Sequence, residues 1–273
     1  MSKPRGCFIT IVVILTITAA VFLFVFFVSS GSGDNDILLL GIDEREENNE
    51  FEGLTDTIII YHMGSRGSES YLISIPRDVR VNLEGHGWNK INAAYKYGGK
   101  EMIEEEVFKL TDISIDKVVL VNFRGFKEII DILGGVEITV DEALHDPLSG
   151  ADFDPGTYLM DGEEALSFVR CRATAGVDLD RVDRQKYLLS EIIKQKFNFS
   201  IIYNSPRIID VLNERTKSDL TLLDYCSLGF RILLSNKDVN WLTIPVEPAY
   251  IDGISYLITD KNEVVDFLDD YLK

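Results

Sequence analysis

Residues 7–28 form the longest apolar run in the chain, 22 successive positions without a charged side chain. A helix of that length spans roughly 33 Å at about 1.5 Å per residue, enough to cross a hydrocarbon core of about 30 Å. Lys3 and Arg5 precede the run and no acid does. This asymmetry predicts a single-pass membrane helix with residues 1–6 in the cytoplasm and the remainder outside the cell membrane. The run exceeds the usual apolar region of a cleaved secretory signal, so an uncleaved anchor is expected. Residues 29–35, beginning Ser29-Ser30-Gly31-Ser32-Gly33, read as a flexible linker.

After the linker the pattern shortens and alternates. Apolar, β-branched stretches at 37–42, 57–61 and 70–75 have the length of buried strands, and a Gly-Ser-Arg-Gly turn at 64–67 separates the last two. Strands joined by short loops tend to form a meander. The end of the first strand, the start of the second and the end of the third then share one sheet edge. Asp43, Asp56 and the Arg77-Asp78 pair occupy those three places.

Helical patterns follow at 100–110 and 126–133, with extended segments at 117–122 and 136–140. Asp161-Gly162-Glu163-Glu164 opens a short helix with acids in its first turn. That helix should end near Val169, a longer one should run over 182–197, and further helices are expected at 208–214 and 222–234. A strand at 239–244 and a capped closing helix from Asp260 complete the reading. No repeat or long low-complexity linker interrupts it. The expected architecture is α/β: a mixed central sheet flanked by helices, one extracytoplasmic domain over 36–273.

Composition adds constraints. With 273 residues and 10% aromatics the chain can bury a real core, which excludes wholesale disorder. A net charge of −18 argues against binding nucleic acid through the bulk surface. Three cysteines make no disulfide framework, and the spacing of Cys171 and Cys226 leaves their pairing open. His62, His86 and His145 lack metal-ligand spacing, and no G-x-S-x-G, Walker loop or dinucleotide fingerprint is present.

Two constellations carry candidate chemistry. Asp43 and Asp56 at one sheet edge suit a hard cation such as Mg²⁺, although acidic loop residues also serve as solvated caps. Arg77, Arg170, Arg172, Arg181 and Arg184 stand out against the acidic background. Arg170 and Arg172 share a face only if the backbone there is extended. Arg181, Arg184 and Gln185 fall on one helix face at i, i+3 and i+4. Such forks suit multidentate phosphate recognition, and they equally suit neutralising Asp178, Asp180 and Asp183. Lys90 and Asn92, after the Gly85-His86-Gly87 loop, are further phosphate or sugar contacts, or simply polar residues at a helix start.

In order, Leu39-Leu40-Gly41-Ile42-Asp43-Glu44-Arg45, Thr55-Asp56-Thr57, Ser74-Ile75-Pro76-Arg77-Asp78 and Lys90-Ile91-Asn92-Ala93-Ala94-Tyr95 resemble the LytR-CpsA-Psr family of cell-wall enzymes. Val121-Asn122-Phe123, Gly134-Gly135-Val136, Leu159-Met160-Asp161-Gly162, Val169-Arg170-Cys171-Arg172 and Arg181 with Arg184-Gln185 continue the match to about residue 190. Leu54-Thr55 stands where the family often has Arg-Ser, and Asp180 where glycine is common.

The resemblance implies a membrane-anchored phosphotransferase that moves an anionic glycopolymer, teichoic acid or capsular polysaccharide, from a polyprenyl-pyrophosphate carrier to peptidoglycan. It implies Mg²⁺ or Mn²⁺ on Asp43 and Asp56. It also implies a pyrophosphate held by Arg77, Arg170, Arg172 and Arg181 with Gln185 in support, Lys90 and Arg184 joining them, and a prenyl chain in an apolar tunnel between sheet and helices. Asp78 either orients Arg77 or acts as base. Hydrolysis of the same pyrophosphate by water, and non-catalytic binding of a polyprenyl phosphate, are the competing readings. Only six residues precede the apolar run, too few for a cytoplasmic DNA-binding module.

Overall fold

The computed structural model describes residues 36–42, 53–64, 69–172, 178–196, 216–221 and 240–272, with isolated positions between the last three ranges. The expected membrane helix, its linker, and nearly all of the helices expected at 208–214 and 222–234 lie outside those residues. No helix among the described residues is long and apolar enough to cross a membrane.

A six-stranded mixed sheet organises the domain. It is built from β1 (Asp36–Ile42), β2 (Thr55–His62), β3 (Tyr71–Ser74), β6 (Lys117–Asn122), β11 (Thr216–Ser218) and β12 (Asn240–Thr243), in the order β11-β6-β1-β2-β3-β12. The first three strands form the expected antiparallel meander. β6 runs parallel to β1 and β12 parallel to β3, so the carboxyl ends of β1, β3, β6 and β12 emerge at one rim. Two hairpins absent from the sequence reading lie beside the sheet: β4 (Arg80–Leu83) with β5 (Gly87–Lys90), and β13 (Glu247–Ile251) with β14 (Ile254–Ile258).

Strand alternation sorts the core. Leu38, Leu40, Ile42, Ile58, Ile60, Ile73, Val118 and Leu120 point to one face, where they pack with Ile103, Val107, Val264 and Leu268 of α1 (Ala94–Thr111) and the closing helix α5 (Lys261–Leu272). The helix expected from Lys100 is the second part of α1. The break falls at Gly99, whose φ of 67° and ψ of −153° no helix accommodates. On the other face Ile37, Ile59, Leu72 and Val119 are buried as well.

A second core joins α2 (Phe123–Ile132), α3 (Gly162–Arg170) and α4 (Asp178–Lys196) to β7 (Val136–Val140) and β10 (Gly156–Met160), and the small β8 (Leu144–Asp146) and β9 (Ala151–Phe153) pair. α2 starts three residues earlier than its apolar pattern, because the Asn122 side chain caps it by accepting from the Gly125 amide at 2.7 Å. α3 opens with a full capping box between Asp161 and Glu164. It ends at Arg170, and the chain is extended at Cys171.

Candidate functional site

The rim is set by register. Ile42 ends β1 beside Asn122 of β6 and Thr55 of β2, so Asp56 follows one residue into β2. After β3 the chain turns through Pro76-Arg77-Asp78, and two separate segments pin it with three hydrogen bonds. The Asn92 amide donates to the Arg77 carbonyl (3.2 Å), the Leu257 amide to the Asp78 carbonyl (2.9 Å), and the Ile91 amide to the Val79 carbonyl (2.8 Å). A rigid backbone at this point fixes where the two side chains emerge.

Those side chains form an alternating chain of charge. Arg77 Nη1 donates to Asp56 Oδ1 at 2.6 Å. Arg77 Nε stands 3.7 Å from Asp78 Oδ2, and Asp78 Oδ1 meets Lys90 Nζ at 2.7 Å. All four side chains are partly buried rather than solvated. Lys90 ends strand β5 and caps the short 3-10 helix Ile91–Ala93 that leads into α1, so it does stand at a helix start as its surroundings suggest. The hairpin is what carries it to Asp78.

The remaining arginines divide. Arg170, the last residue of α3, lies with its guanidinium 4.8 Å from the Phe123 ring, which directly follows β6. Arg172 has an exposed side chain. Its amide donates to Asp146 Oδ2 at 2.8 Å, while the Leu148 amide holds Oδ1 at 3.0 Å. The Arg172 amide, despite the opposing effect of burial, holds the Asp146 carboxyl below the usual carboxylate range, with help from Leu148 and Ser149. Arg184 is buried, and its Nη2 donates to the Cys171 carbonyl at 2.5 Å. It therefore braces the segment that carries Arg170 and Arg172. Gln185 is half-buried on the next position of α4. Cys171 is a buried free thiol; Cys226, Asp43 and the side chain of Arg181 lie outside the described residues.

Helix α4 is aimed at the rim. Lys186 Nζ donates to Thr243 Oγ1 (2.6 Å) and Trp241 Nε1 to Ser190 Oγ (2.8 Å), so α4 runs antiparallel to β12. Its amino terminus, with positions 181 and 185, therefore points toward the end where β12 and β3 finish. A helix amino terminus carries partial positive charge, which favours an anion there.

Asp146 is the site-supporting residue that the sequence reading missed. The local string Asp146-Pro147-Leu148-Ser149-Gly150 announces a turn, and Ser149 and Gly150 amides do donate to the Asp146 carbonyl. Nothing local announces that its carboxylate reaches residue 172. Among the described residues no group of three or more His, Cys, Asp or Glu is placed to hold a metal ion. Asp56 does offer carboxylate oxygens at a partly open rim, the donor type that a hard dication prefers. A cavity of about 470 Å³ runs beside β6 and β11, walled by Tyr95, Val118 and Leu120 and by the Lys100–Asp219 ion pair.

An open α/β sheet with cations and carboxylates gathered at its strand carboxyl ends is the class of domain that binds anionic ligands in that crevice. The LytR_cpsA_psr family model matches residues 25–272, and the chain belongs to that family. It is 36% identical over 239 residues to the polyisoprenyl-teichoic acid–peptidoglycan teichoic acid transferase TagT of Bacillus subtilis, covering 84% of this chain and 73% of that protein. It is 34% identical over 231 residues to the transferase of the same description, TagU, from Halalkalibacterium halodurans, covering 84% and 75%. Among solved structures, the LytR-CPS2A-psr family protein YwtF (TagT) with bound octaprenyl pyrophosphate lipid superimposes with a TM-score of 0.65 at 27% identity, over 89% of this chain and 91% of that one.

Proposed function

We propose that the protein transfers an anionic glycopolymer from a polyprenyl-pyrophosphate carrier onto peptidoglycan, at the outer face of a membrane to which residues 7–28 anchor it. The Asp56–Arg77–Asp78–Lys90 chain at the rim carries this reading, and the transferase names of its relatives give it a substrate. A peptidoglycan hydroxyl attacks the polymer-side phosphorus, the bond to the bridging oxygen breaks, and polyprenyl phosphate leaves. Asp78 receives the hydroxyl proton. Arg77 and the arginines at 170, 172 and 181 neutralise the charge that develops on the phosphoryl oxygens. Arg77, held beforehand by Asp56, needs little reorganisation when that charge appears.

Asp56, with Asp43 one residue beyond β1, would hold Mg²⁺ or Mn²⁺. Such an ion would supply further neutralisation of the diphosphate. Arg77 already binds Oδ1 of Asp56, which holds that carboxylate in one orientation. The apolar wall of Val118 and Leu120 in the cavity supports a place for part of the prenyl tail.

The test is transfer from a synthetic lipid-linked donor to peptidoglycan by the full chain in detergent, with products analysed with and without acceptor. Asp56→Ala and Arg77→Ala should each lower turnover about a hundredfold or more. Normal turnover in either variant refutes its role. Release of polyprenyl phosphate that is indifferent to peptidoglycan would identify a hydrolase instead.

A further inference from the structure

The β4–β5 hairpin leads away from Asp78 and carries a row of exposed rings with no role in the reaction described above. Trp88 stands two residues before Lys90 on β5, so both side chains leave the same face of the hairpin. Arg80 lies directly opposite Lys90 in the ladder, and its guanidinium sits 4.0 Å from the centre of the Trp88 ring. The same guanidinium is 5.6 Å from the ring of Tyr256, which also lies 6.0 Å from the Lys90 ammonium. These contacts hold the indole in one orientation, yet Trp88 remains 57% exposed. At the tip of the hairpin His86 stacks on Tyr97, with ring centres 4.2 Å apart and planes within 8°. Residues two apart on an extended strand are separated by about 7 Å. Lys90 beside Asp78 and then Trp88 form a track along β5, and the His86–Tyr97 pair stands beyond it in the turn, where Gly85 and Gly87 take positive φ.

The chemistry of the track narrows its occupant. Flat, oriented, solvent-open rings stack on the C–H faces of pyranose sugars. Lys90 is paired with Asp78, and Arg80 keeps its charge against the indole, a single cation where a polyphosphate chain would call for several. An anionic lipid surface is repelled by a protein of net charge −18. A linear, largely uncharged saccharide satisfies these conditions, and the track delivers it to the carboxylate that takes the proton.

We infer that Trp88, held by Arg80 and continued by the His86–Tyr97 pair, docks the acceptor glycan strand of peptidoglycan and presents its hydroxyl to Asp78. This rests on the transfer reading above and supplies its second substrate with a binding surface.

The experiment uses the full chain in detergent, soluble peptidoglycan glycan fragments, and the variants Trp88→Ala and Trp88→Phe. Direct binding of the fragments is measured by calorimetry, and acceptor and donor KM are measured in the transfer assay. Trp88→Ala should weaken fragment binding and raise acceptor KM by about fivefold to tenfold. Excess acceptor should restore its rate, and Trp88→Phe, which keeps a ring, should recover most of the affinity. Unchanged fragment binding in Trp88→Ala overturns the proposal. So does a rise in donor KM in place of acceptor KM, which would give the track to the donor polymer, or a loss confined to binding of anionic lipid vesicles. If the wild-type chain binds fragments through Trp88 but transfers nothing, the docking surface stands and the transfer reading fails.

Discussion

Replacing Asp146 by asparagine should separate the support of the site from its chemistry. The side chain is buried, and its two oxygens each accept one backbone amide, from Arg172 at 2.8 Å and from Leu148 at 3.0 Å. Asparagine keeps one acceptor but turns an N–H₂ group toward the second amide. One charge-assisted bond is lost and a donor is left facing a donor, at a cost of roughly 2 kcal/mol. For a domain of this size that lowers Tm by about 4–8 °C. The folded-state pKa of Asp146 lies below the ordinary carboxylate value of about 3.9. Its stabilisation is therefore complete above that pH and disappears as pH falls through the folded value. The Tm gap between wild type and Asp146→Asn should be constant from about pH 7 to pH 5 and close below about pH 4. Because the same bond holds the backbone of residue 172, a residue proposed to bind the diphosphate, donor KM should also rise severalfold at temperatures well below Tm. Calorimetry across pH, with donor kinetics at neutral pH, checks both effects. A Tm gap that persists unchanged in acid, or wild-type melting throughout, would refute the clamp.

Other consequences follow from the same geometry. Arg184→Met keeps much of the volume but removes the donor to the Cys171 carbonyl, and should lower Tm by several degrees while raising donor KM, read by melting and steady-state kinetics. Gly162→Ala places a methyl group against the Lys127 backbone where α3 crosses α2, and overpacking of this kind costs about 1–3 kcal/mol in a denaturant titration. Chelation with EDTA should suppress transfer, and added Mg²⁺ or Mn²⁺ should restore it; full turnover in chelator would remove the metal from the mechanism. Lys90→Met should slow turnover, because Asp78 loses the partner that orients its Oδ1, and unchanged steady-state kinetics would show that this ion pair takes no part.

Much of the fold was legible because strand and helix periods are local properties of the chain. The runs at 37–42, 57–61 and 70–75 coincide with β1, β2 and β3, and loop length alone placed Asp56 and Arg77 at one edge, where they meet at 2.6 Å. The short β4–β5, β8–β9 and β13–β14 hairpins escaped notice, since three to five residues are too few to establish alternation above background. Helix α2 began early because a cap, rather than hydrophobicity, sets where a helix starts. Arg184 shows the limit most clearly. Its i, i+3 and i+4 spacing with Arg181 and Gln185 describes a helix face truly, but spacing does not say what that face meets. In the folded chain its guanidinium meets the Cys171 carbonyl.

By itself, then, the sequence determined the class of sheet, the family, and the placing of Asp56 and Arg77 at one edge, because these follow from short-range periodicity and from motif order. Only the tertiary structure decided which charges touch. It tied Lys90 to Asp78 across a hairpin and Asp146 to the Arg172 amide across 26 residues of chain. Ion pairs and buried hydrogen bonds act over a few ångströms, and those separations are created by packing between elements, which no local pattern encodes.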